Sequence, residues 1–461
     1  MSLFPKEVRS VLHILHRGGY EAYLVGGCVR DLLLGRTPDD WDVTTSACPE
    51  EVMALFKGRC IPTGLKHGTV SVLSGRQRLE VTTYRLEGEY TDNRRPDTVQ
   101  FTGDLGEDLK RRDLTVNAMA MSLDGQLTDL FGGREDLRAG IIRCVGVPEE
   151  RYNEDALRIM RALRFSSTLN FAIEPDTARG IRTCRENLRN IAVERILTEM
   201  TKLLCGARAA EVLLEFPEVI GVFLPEILPA VDFTPRGSRH CYGLWEHTAR
   251  AVAAAPDTPV LRWTMLLHDL AKPDCLTWDE KGEPHMRGHQ QLGAERAVEI
   301  CRRLRMNRKD TQRISTLITW HDRDIPRTRR GVVWALNELG EETLRQLLEV
   351  KRADTRAKDR STGWMLTEID KAEEILNELT AEGGCLRVGD LAVCGKDLQR
   401  RGIRGAAVGT VLRQLLGMVA EKELPNERPA LLQWIRDNKK KYMTPRPPKE
   451  PKPAAETEQQ T

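Results

Sequence analysis

The sequence predicts an α+β domain at the N-terminus followed by a series of all-helical domains. With 461 residues, the chain exceeds what one hydrophobic core normally holds, so we expect two to four domains. Residues 1 to about 140 mix strand-like and helix-like segments, and strand signals stop after about residue 145. Hydrophobic residues at 40% and charged residues at 30% are typical of a globular protein.

The N-terminal domain is predicted from strand-like and helical patterns over residues 1–140. Four runs rich in β-branched, aromatic or other apolar residues predict short strands: EAYLVGG, GTVSVLS, RLEVTTYR and QLTDLF. Two further runs, EVRSVLHILHRGG and PEEVMALFKG, repeat apolar residues at helical spacing. The mixture of both patterns predicts an α+β fold for this part of the chain.

The remainder of the chain predicts helices. NEDALRIMRALRFSSTL and AVERILTEMTKLLC belong to a predicted helical neck at residues 141–235. A histidine-bearing helical domain is predicted at 236–380 and a helical tail at 381–438. Residues 439–461 are rich in Pro, Lys and Glu without periodicity, so we expect them to be disordered.

Composition sets few limits on the partners of this chain. The net charge of +2 neither indicates nor excludes nucleic-acid binding, because acidic surface can balance a basic stripe. The 11 cysteines are scattered without a CxxC pair, and we find no signal peptide and no membrane-spanning apolar run. We therefore expect a cytoplasmic protein with free thiols and no membrane partner, of unknown oligomeric state.

The stretch PDDWDV places two carboxylates where a strand is predicted. Side chains alternate between the faces of a strand, so Asp40 and Asp42 are expected on one face and Trp41 and Val43 on the other. Two adjacent carboxylates repel each other unless a cation lies between them, and Mg²⁺ prefers such oxygen ligands. The residues alone leave open a magnesium site or a solvated turn.

The stretch YLVGGCVRDLLLG predicts a strand, a tight turn and a helix. Gly26 and Gly27 allow a ligand to approach the backbone closely, and the N-terminus of the following helix, which carries Arg30, favours a phosphate. A plain strand–helix turn is the alternative. A phosphate site directly before paired aspartates suits nucleotide phosphoryl chemistry.

Five segments, taken in order, resemble the motifs of the class II nucleotidyltransferases, a superfamily that includes the bacterial CCA-adding enzymes and poly(A) polymerases. They are LVGGCVRDLLLG, DDWDV, KRRDLTVNAMA, DLFGGREDL and RYNEDALRIMRALRF. The resemblance covers residues 20–205 and implies a polymerase-β-like head that binds two Mg²⁺ ions and uses no template. Asp40 and Asp42 would be metal ligands. Glu80, in RLEVTTYR, is our choice for a third acidic residue, with an exposed strand glutamate as the alternative.

The resemblance also implies where the nucleotide binds. Arg111 and Arg112 would contact the triphosphate, while Asp113 and Asn117 would contact ribose hydroxyls. An ordinary charged helix start with Asp113 as N-cap is the alternative.

Base selection is implied for EDALRIMRALRF, which we expect to form one helix. Asp155 and Arg158 would read the base and Arg161 would be available to phosphate, unless this is simply a salt-bridged amphipathic helix. Asp only accepts and Arg only donates hydrogen bonds, so the pair matches the edges of C and A and not those of G and U. A flexible loop for the switch from C to A is expected around residues 87–104.

A second set of residues resembles the HD superfamily of metal-dependent phosphohydrolases over about 240–360. The set consists of His247, His268, Asp269, His289, His321 and Asp354. Imidazoles and carboxylates together suit Mn²⁺, Fe²⁺, Ni²⁺ or Zn²⁺. The domain would hydrolyse phosphoester or cyclic phosphate ends of RNA, or would serve only as a helical platform for tRNA. We interpret His240 and His285 as ordinary residues.

Taken together, the sequence predicts an enzyme that adds CCA to the 3′ end of tRNA, with CTP and ATP as substrates and Mg²⁺ as cofactor. The alternatives are a poly(A) polymerase of the same class and a protein that acts mainly as an HD phosphohydrolase. CCA addition is favoured because EDALR lacks the proline typical of the poly(A) branch, the C-terminal tail is only mildly basic, and the HD residues are present.

Overall fold

The computed structural model describes residues 4–87, 99–234, 242–358 and 360–442. The described residues of Met1–Asp322 and Glu349–Arg360 form one compact unit. Those of Arg323–Leu348 and Ser361–Thr461 form a second unit. Throughout these described ranges, every helix is too short or too polar to cross a bilayer.

Within its described residues, the first unit begins with nine strands and the helices around them; seven strands form one sheet, and the other two pair with each other. The strands are β1 (Ala22–Val25), β2 (Asp42–Thr45), β3 (Cys60–Gly64), β4 (Thr69–Ser74), β5 (Gln77–Thr83), β6 (Arg85–Glu87), β7 (Val99–Phe101), β8 (Met119–Met121) and β9 (Leu127–Asp129). The helices are α1 (Lys6–Arg17), α2 (Gly27–Leu33), α3 (Pro49–Leu55), α4 (Leu105–Lys110) and α5 (Gly133–Ala139). The sheet order is β3-β4-β5-β2-β1-β8-β9, in which β2 and β5 are parallel and the other neighbours antiparallel.

The alternating patterns explain why this sheet forms. In β5, Leu79 and Val81 are buried whereas Glu80 between them is exposed, as the two-residue period requires. Helix α1 buries Val8, Val11, Leu12 and Leu15, which recur at helical spacing. All four predicted strands are present, as β1, β4, β5 and β9. The prediction of an α+β head followed by mostly helical structure is confirmed.

The neck region of the first unit is helical. Its elements are β10 (Ile141–Ile142), α6 (Pro148–Glu154), α7 (Leu157–Leu169), β11 (Ala172–Ile173), α8 (Pro175–Cys184), α9 (Val193–Leu204), α10 (Ala209–Glu215), α11 (Pro217–Ile220) and α12 (Leu228–Val231). The prediction of a single helix over EDALRIMRALRF was wrong, because α6 ends at Glu154 and α7 begins at Leu157. Asp155 is extended and its carboxylate accepts the Leu157 N–H at 3.0 Å, a local bond that competes with helix continuation.

The histidine-bearing region completes the first unit. Its elements are α13 (Leu244–Ala254), α14 (Pro259–Leu267), β12 (Thr277–Trp278), β13 (Pro284–His285), α15 (His289–Arg303) and α16 (Arg308–Trp320). The helices after α16 are α17 (Arg329–Leu339), α18 (Glu341–Arg356), α19 (Trp364–Glu382), α20 (Gly395–Gln399), α21 (Ala406–Ala420) and α22 (Arg428–Asn438). In the second unit, α17 packs on α19 and α21. Only the second half of α18 belongs to the first unit.

The predicted domain boundaries at 140, 235, 380 and 438 stay predictions. Of the C-terminal segment expected to be disordered, Lys439–Lys441 form a 3₁₀ turn. Residues 443–461 lie outside the described part of the chain.

Candidate active site

Two of the predicted acidic residues lie side by side in the sheet. Asp42 is the first residue of β2, and Glu80 is its register partner on the parallel strand β5. Asp40 lies in the bend before β2, which begins at Asp42. The prediction that both aspartates belong to the strand was therefore wrong for Asp40. The expected alternation still holds, because Trp41 and Val43 are buried while Asp40 is exposed.

The three carboxylates influence one another electrostatically. Burial raises the pKa of Asp42 to about 6 against the opposing charge of Arg112, and Glu80 and Asp40 add to the rise. Such a group is relieved of repulsion when a cation binds among the carboxylates. The donors are all carboxylate oxygens, the ligands that Mg²⁺ prefers, so the residues present fit a magnesium site.

The glycine turn leaves room next to Asp42. Gly26 has φ +77° and ψ −131°, a conformation that side chains other than glycine rarely adopt. A Cβ at this position would lie 3.1 Å from Nη1 of Arg112 and 4.0 Å from Oδ2 of Asp42. A ligand can therefore approach the backbone of this turn between a carboxylate and a guanidinium group.

Arg30 of α2 is held inside the protein. Its side chain donates to Oδ1 of Asn117 at 2.8 Å and pairs with Asp31 at 2.8 Å. Its guanidinium group also lies 5.0 Å from the ring centre of Phe165, on α7. Arg30 and Asn117, both predicted nucleotide contacts, thus orient each other.

Asp108, which the sequence analysis did not single out, organises the arginines. This carboxylate on α4 is fully buried and accepts from Nη2 of Arg111 at 2.7 Å and Nη2 of Arg112 at 3.3 Å. Oγ1 of Thr44, on β2, donates to it at 3.1 Å. Burial opposes its charge, yet the two arginines hold the pKa of Asp108 below its ordinary value. The signal was present in EDLKRR, where Asp108 precedes the arginines by three and four positions.

Arg112 retains unused hydrogen-bonding capacity. Its Nε is buried and makes no hydrogen bond within the described residues. Because a buried unpaired N–H is costly, this atom favours an anionic ligand beside Gly26.

Asp113 is not the N-cap of a helix. The 3₁₀ turn Thr115–Asn117 has Leu114 at its N-cap position, and Oδ2 of Asp113 instead accepts from Nε of Arg161 at 2.6 Å. Burial opposes the charge of Asp113, but Arg161 outweighs it and lowers the pKa of Asp113 to about 2. Arg161, which we expected to be free for phosphate, is tied to the head by this pair.

Asp155 and Arg158 are each held by a different neighbour. Nη1 of Arg158 lies 2.5 Å from Glu154, and Nη2 donates to the carbonyl oxygen of Arg111 at 3.0 Å. Oδ2 of Asp155 lies 3.2 Å from Nη2 of Arg195, at the start of α9. The neck thus presents one acceptor and one donor close to the residues of the head.

The segment expected to act as a flexible loop begins and ends in ordered structure. Strands β6 and β7 pair antiparallel, with Arg85 opposite Phe101. Asp104 caps α4 by accepting the N–H of Gly106 at 2.7 Å. Residues 88–98, the central part of this prediction, lie outside the described residues.

The first part of the HD cluster surrounds Asp269. The ligand atoms of His247, His268, Asp269 and Asp354 all lie within 4.8 Å of one another. Oδ2 of Asp269 is 3.1 Å from Nε2 of His268 and 3.5 Å from Nε2 of His247. Oδ1 of Asp354 is 3.1 Å from Nε2 of His247.

The second part uses the other oxygen of the same aspartate. Oδ1 of Asp269 lies 3.4 Å from Nε2 of His289 and 3.5 Å from Nε2 of His321. These three residues form a second group with metal-ligand spacing. The fold thus brings all six predicted HD residues together, with Asp269 between two groups.

The imidazoles are oriented for ligation. Nδ1 of three histidines lies 2.7 or 2.8 Å from a main-chain carbonyl oxygen: His268 from Met265, His289 from Met286 and His321 from Ile318. A carbonyl can only accept, so the neutral form of each imidazole carries its lone pair on Nε2, which faces Asp269. Nε2 of His247 and His268 and Oδ1 of Asp269 are buried without a hydrogen bond to any described residue, as expected of ligand atoms for a transition metal.

Groups of opposite charge lie close together in the HD cluster. Burial opposes protonation of His268, but Asp269 and Asp354 outweigh it and raise the pKa of His268 to about 9. Nζ of Lys272 lies 2.6 Å from Oδ2 of Asp269. His268 would have to lose a proton from Nε2 to act as a metal ligand here.

A pocket of ≈ 380 Å³ opens beside the cluster, and Lys272, Arg287 and Lys358 also line it. His285 lines the pocket too, and its Nε2 lies 3.1 Å from Asp279, consistent with its interpretation as an ordinary residue. His240 lies outside the described residues.

Comparison with protein-family models finds three matches along this chain. Residues 22–143 match the poly A polymerase head domain, and residues 170–228 match a probable RNA and SrmB- binding site of polymerase A. Residues 237–359 match the HD domain. These matches imply that the protein depends on metal ions.

Curated relatives are similar over most of the chain. The CCA-adding enzyme of Levilactobacillus brevis is 36% identical over 437 residues, which are 93% of this chain and 97% of that protein. The CCA-adding enzyme of Oceanobacillus iheyensis is 52% identical over 219 residues, but this match spans only 54% of that relative and 48% of this chain.

Solved structures of CCA-adding enzymes are similar to this chain over almost its whole length. The CCA-adding enzyme of Bacillus stearothermophilus, in complex with CTP, is 32% identical with a TM-score of 0.69, covering 95% of this chain and 98% of that one. The Thermotoga maritima CCA-adding enzyme complexed with tRNA shares the fold at 20% identity and a TM-score of 0.56, covering 93% and 94% of the two chains. With its head, its HD cluster and a relative matched along almost its whole length, the chain belongs to the CCA-adding enzymes, a family of tRNA nucleotidyltransferases.

Proposed function

We propose that this protein adds CMP, CMP and AMP in turn to the 3′ end of tRNA, using CTP and ATP and releasing pyrophosphate. The observation that carries the proposal is the register pair Asp42–Glu80, with Asp40 beside it and the Gly26 turn adjacent. The names of the similar proteins, among them a CTP complex, support it. We also propose that the protein is located in the cytoplasm, because its proposed substrates, tRNA, CTP and ATP, are found in the cytoplasm.

The head residues have separable roles in this reaction. Asp40, Asp42 and Glu80 would hold Mg²⁺, which when bound lowers the pKa of the attacking hydroxyl and neutralises triphosphate charge. Arg111 and Arg112 are held by Asp108 and would contact the triphosphate, and Arg112 lies beside the Gly26 turn.

The neck residues select the base. Asp155 would accept a hydrogen bond from the amino group of cytosine or adenine, while Arg158 would donate to the adjacent ring nitrogen. Guanine and uracil present the reverse pattern and would leave both partners unpaired in a desolvated site. Glu154 and the main chain of Arg111 hold Arg158 in place for this contact.

Extension of a tRNA transcript that ends before CCA tests the proposal. With Mg²⁺, CTP alone should add two C residues, and ATP should then complete the end with one A. A long A run from ATP alone would identify a poly(A) polymerase instead. The double variant Asp40→Ala, Asp42→Ala should fold and add nothing, and continued extension would exclude these aspartates as metal ligands.

A second activity is supported by the HD cluster. We propose that it binds Mn²⁺, Fe²⁺, Ni²⁺ or Zn²⁺ and hydrolyses phosphoester or cyclic phosphate ends of RNA. The shared carboxylate of Asp269 and the adjacent pocket, whose lining includes Lys272, Arg287 and Lys358, support this chemistry. Exhaustive dialysis followed by metal analysis, with an RNA ending in a 2′,3′-cyclic phosphate as substrate, tests it. The proposal fails if the dialysed protein holds no transition metal and the metal-supplemented protein leaves the cyclic phosphate intact. Asp269→Asn is the inactive control and should leave the cyclic phosphate intact.

A further inference from the structure

Arg195 contacts the proposed base-reading aspartate from a different helix. It lies in the first turn of α9, and its Nη2 is 3.2 Å from Oδ2 of Asp155. The two side chains are 34% and 18% exposed, so water only partly screens the pair. Among the described residues, Arg195 is the ion-pair partner of the Asp155 carboxylate.

The Asp155 carboxylate is held at both oxygen atoms. Oδ1 accepts the N–H of Leu157 at 3.0 Å, and Oδ2 faces Arg195. A carboxylate offers about four acceptor positions, so these two contacts leave room for the amino group of a base. Together they fix the direction in which the remaining lone pairs point.

Asp155 needs such support because its backbone belongs to neither helix. It is extended between α6 and α7, with φ −134° and ψ 104°. Other cations are near, since Asp155 contributes to the raised pKa of Arg161. Without Arg195, the carboxylate would be free to turn toward such a competing charge and away from the base.

We propose that Arg195 is a positioning residue for nucleotide selection: it holds the carboxylate of Asp155 where it accepts the amino group of cytosine or adenine. This inference rests on the proposed function and names a determinant of its specificity. Arg195 acts through Asp155 and does not touch the substrate.

A purely structural role would look different, and the chain offers a matched control. A second ion pair joins α9 to α7, the helix that begins just after Asp155: Nε of Arg164 on α7 lies 2.8 Å from Oε2 of Glu199 on α9. Glu199 supports the contact between α7 and α9 without touching Asp155. Loss of helix packing alone should therefore affect Glu199 and Arg195 variants alike.

The experiment compares single-nucleotide addition of CTP and UTP to a tRNA ending before CCA. We expect Arg195→Ala and Arg195→Gln to lower the CTP-to-UTP ratio of kcat/KM by about tenfold, the effect of losing one charged hydrogen bond. Arg195→Lys should restore part of the ratio. Asp155→Ala should lose the preference for CTP over UTP. Glu199→Gln should keep this preference while lowering the melting temperature.

The outcomes separate this inference from the proposed function. Wild-type protein that adds no nucleotide would overturn both. An Asp155→Ala variant that loses discrimination beside Arg195 variants that keep it would overturn the inference alone. Equal loss in Glu199→Gln would also overturn it, because helix packing would then explain the effect. If Arg195→Ala does not fold, Arg195→Gln and Arg195→Lys carry the test.

Discussion

Asp42 and Glu80 are register partners on the parallel strands β2 and β5. The parallel pairing joins two segments that the chain separates by a helix and two further strands. It places one carboxylate on each of two neighbouring strands, which is why Glu80 contributes to the raised pKa of Asp42. The candidate metal site is thus a property of the sheet and not of one motif.

Replacement of Glu80 tests this relationship. We expect Glu80→Gln to slow CTP incorporation by about 100-fold, because a neutral amide removes charge from the site of phosphoryl transfer. Glu80 is exposed, so the variant should keep the wild-type melting temperature. Single-turnover extension gives the rate, with Glu50→Gln on α3 as an exposed control. A wild-type rate in Glu80→Gln would show that Glu80 is an exposed strand residue without a role in the reaction.

The Gly26 turn is predicted to be intolerant of a side chain. Gly26→Ala should raise the KM for CTP, because its Cβ would lie 3.1 Å from Arg112 and displace it. Gly35→Ala is the matched control, since Gly35 also has positive φ but would meet no atom of a described residue within 4 Å. Both variants should be destabilised by about 1 kcal/mol from backbone strain. Equal KM values in steady-state assays would contradict the role of this turn.

Asp108 should matter for both stability and nucleotide affinity. Asp108→Asn removes the charge that pairs with Arg111 and Arg112, and breaking such a buried pair costs about 3 kcal/mol. The released arginines should also raise the KM for CTP. Denaturant unfolding and steady-state kinetics measure the two effects. The neighbouring Glu107, whose side chain is 40% exposed, gives the control, and Glu107→Gln should change neither quantity appreciably.

The Asp113–Arg161 pair predicts a defined dependence of stability on pH. The pKa of Asp113 falls from 3.8 to about 2 on folding, so its stabilisation is complete above pH 4 or so and is lost as pH falls through about 2. At pH 7 this corresponds to about 2 kcal/mol, and about half should remain at pH 3.

We therefore expect Asp113→Asn to lower the free energy of unfolding more at pH 7 than at pH 3, as measured by urea titration. Asp176→Asn, which breaks an exposed pair with Arg179, should cost less than about 0.5 kcal/mol at either pH. A deficit in Asp113→Asn that does not shrink in acid would show that the pair is not the source of the stabilisation.

Metal stoichiometry should follow the two groups of the HD cluster. The wild type should bind two transition-metal ions, and His289→Ala with His321→Ala should bind one, because the other group keeps its donors. Asp269→Ala should bind none, since both groups share this residue. Elemental analysis after metal loading and gel filtration gives the count. His285→Ala should match the wild type, and identical counts in all variants would place the metals elsewhere.

Local patterns determined the larger features of this protein. Runs rich in β-branched and apolar residues predicted β1, β4, β5 and β9, because such side chains pack well on the surface of a half-buried sheet. The order of the motifs indicated the family that the comparisons confirm, and the resemblance to the HD superfamily identified the six residues that lie together.

Tertiary structure alone decided how these residues pair. The role of Asp108 depends on α4 packing beside Thr44 of β2, and the break at Asp155 depends on its own side-chain bond competing with the helix. Likewise, only folding places Asp269 between two groups of histidines and Arg195 against Asp155. Periodicity records which face of an element is buried, whereas the partner of a buried charge comes from distant segments and leaves no local pattern in the sequence.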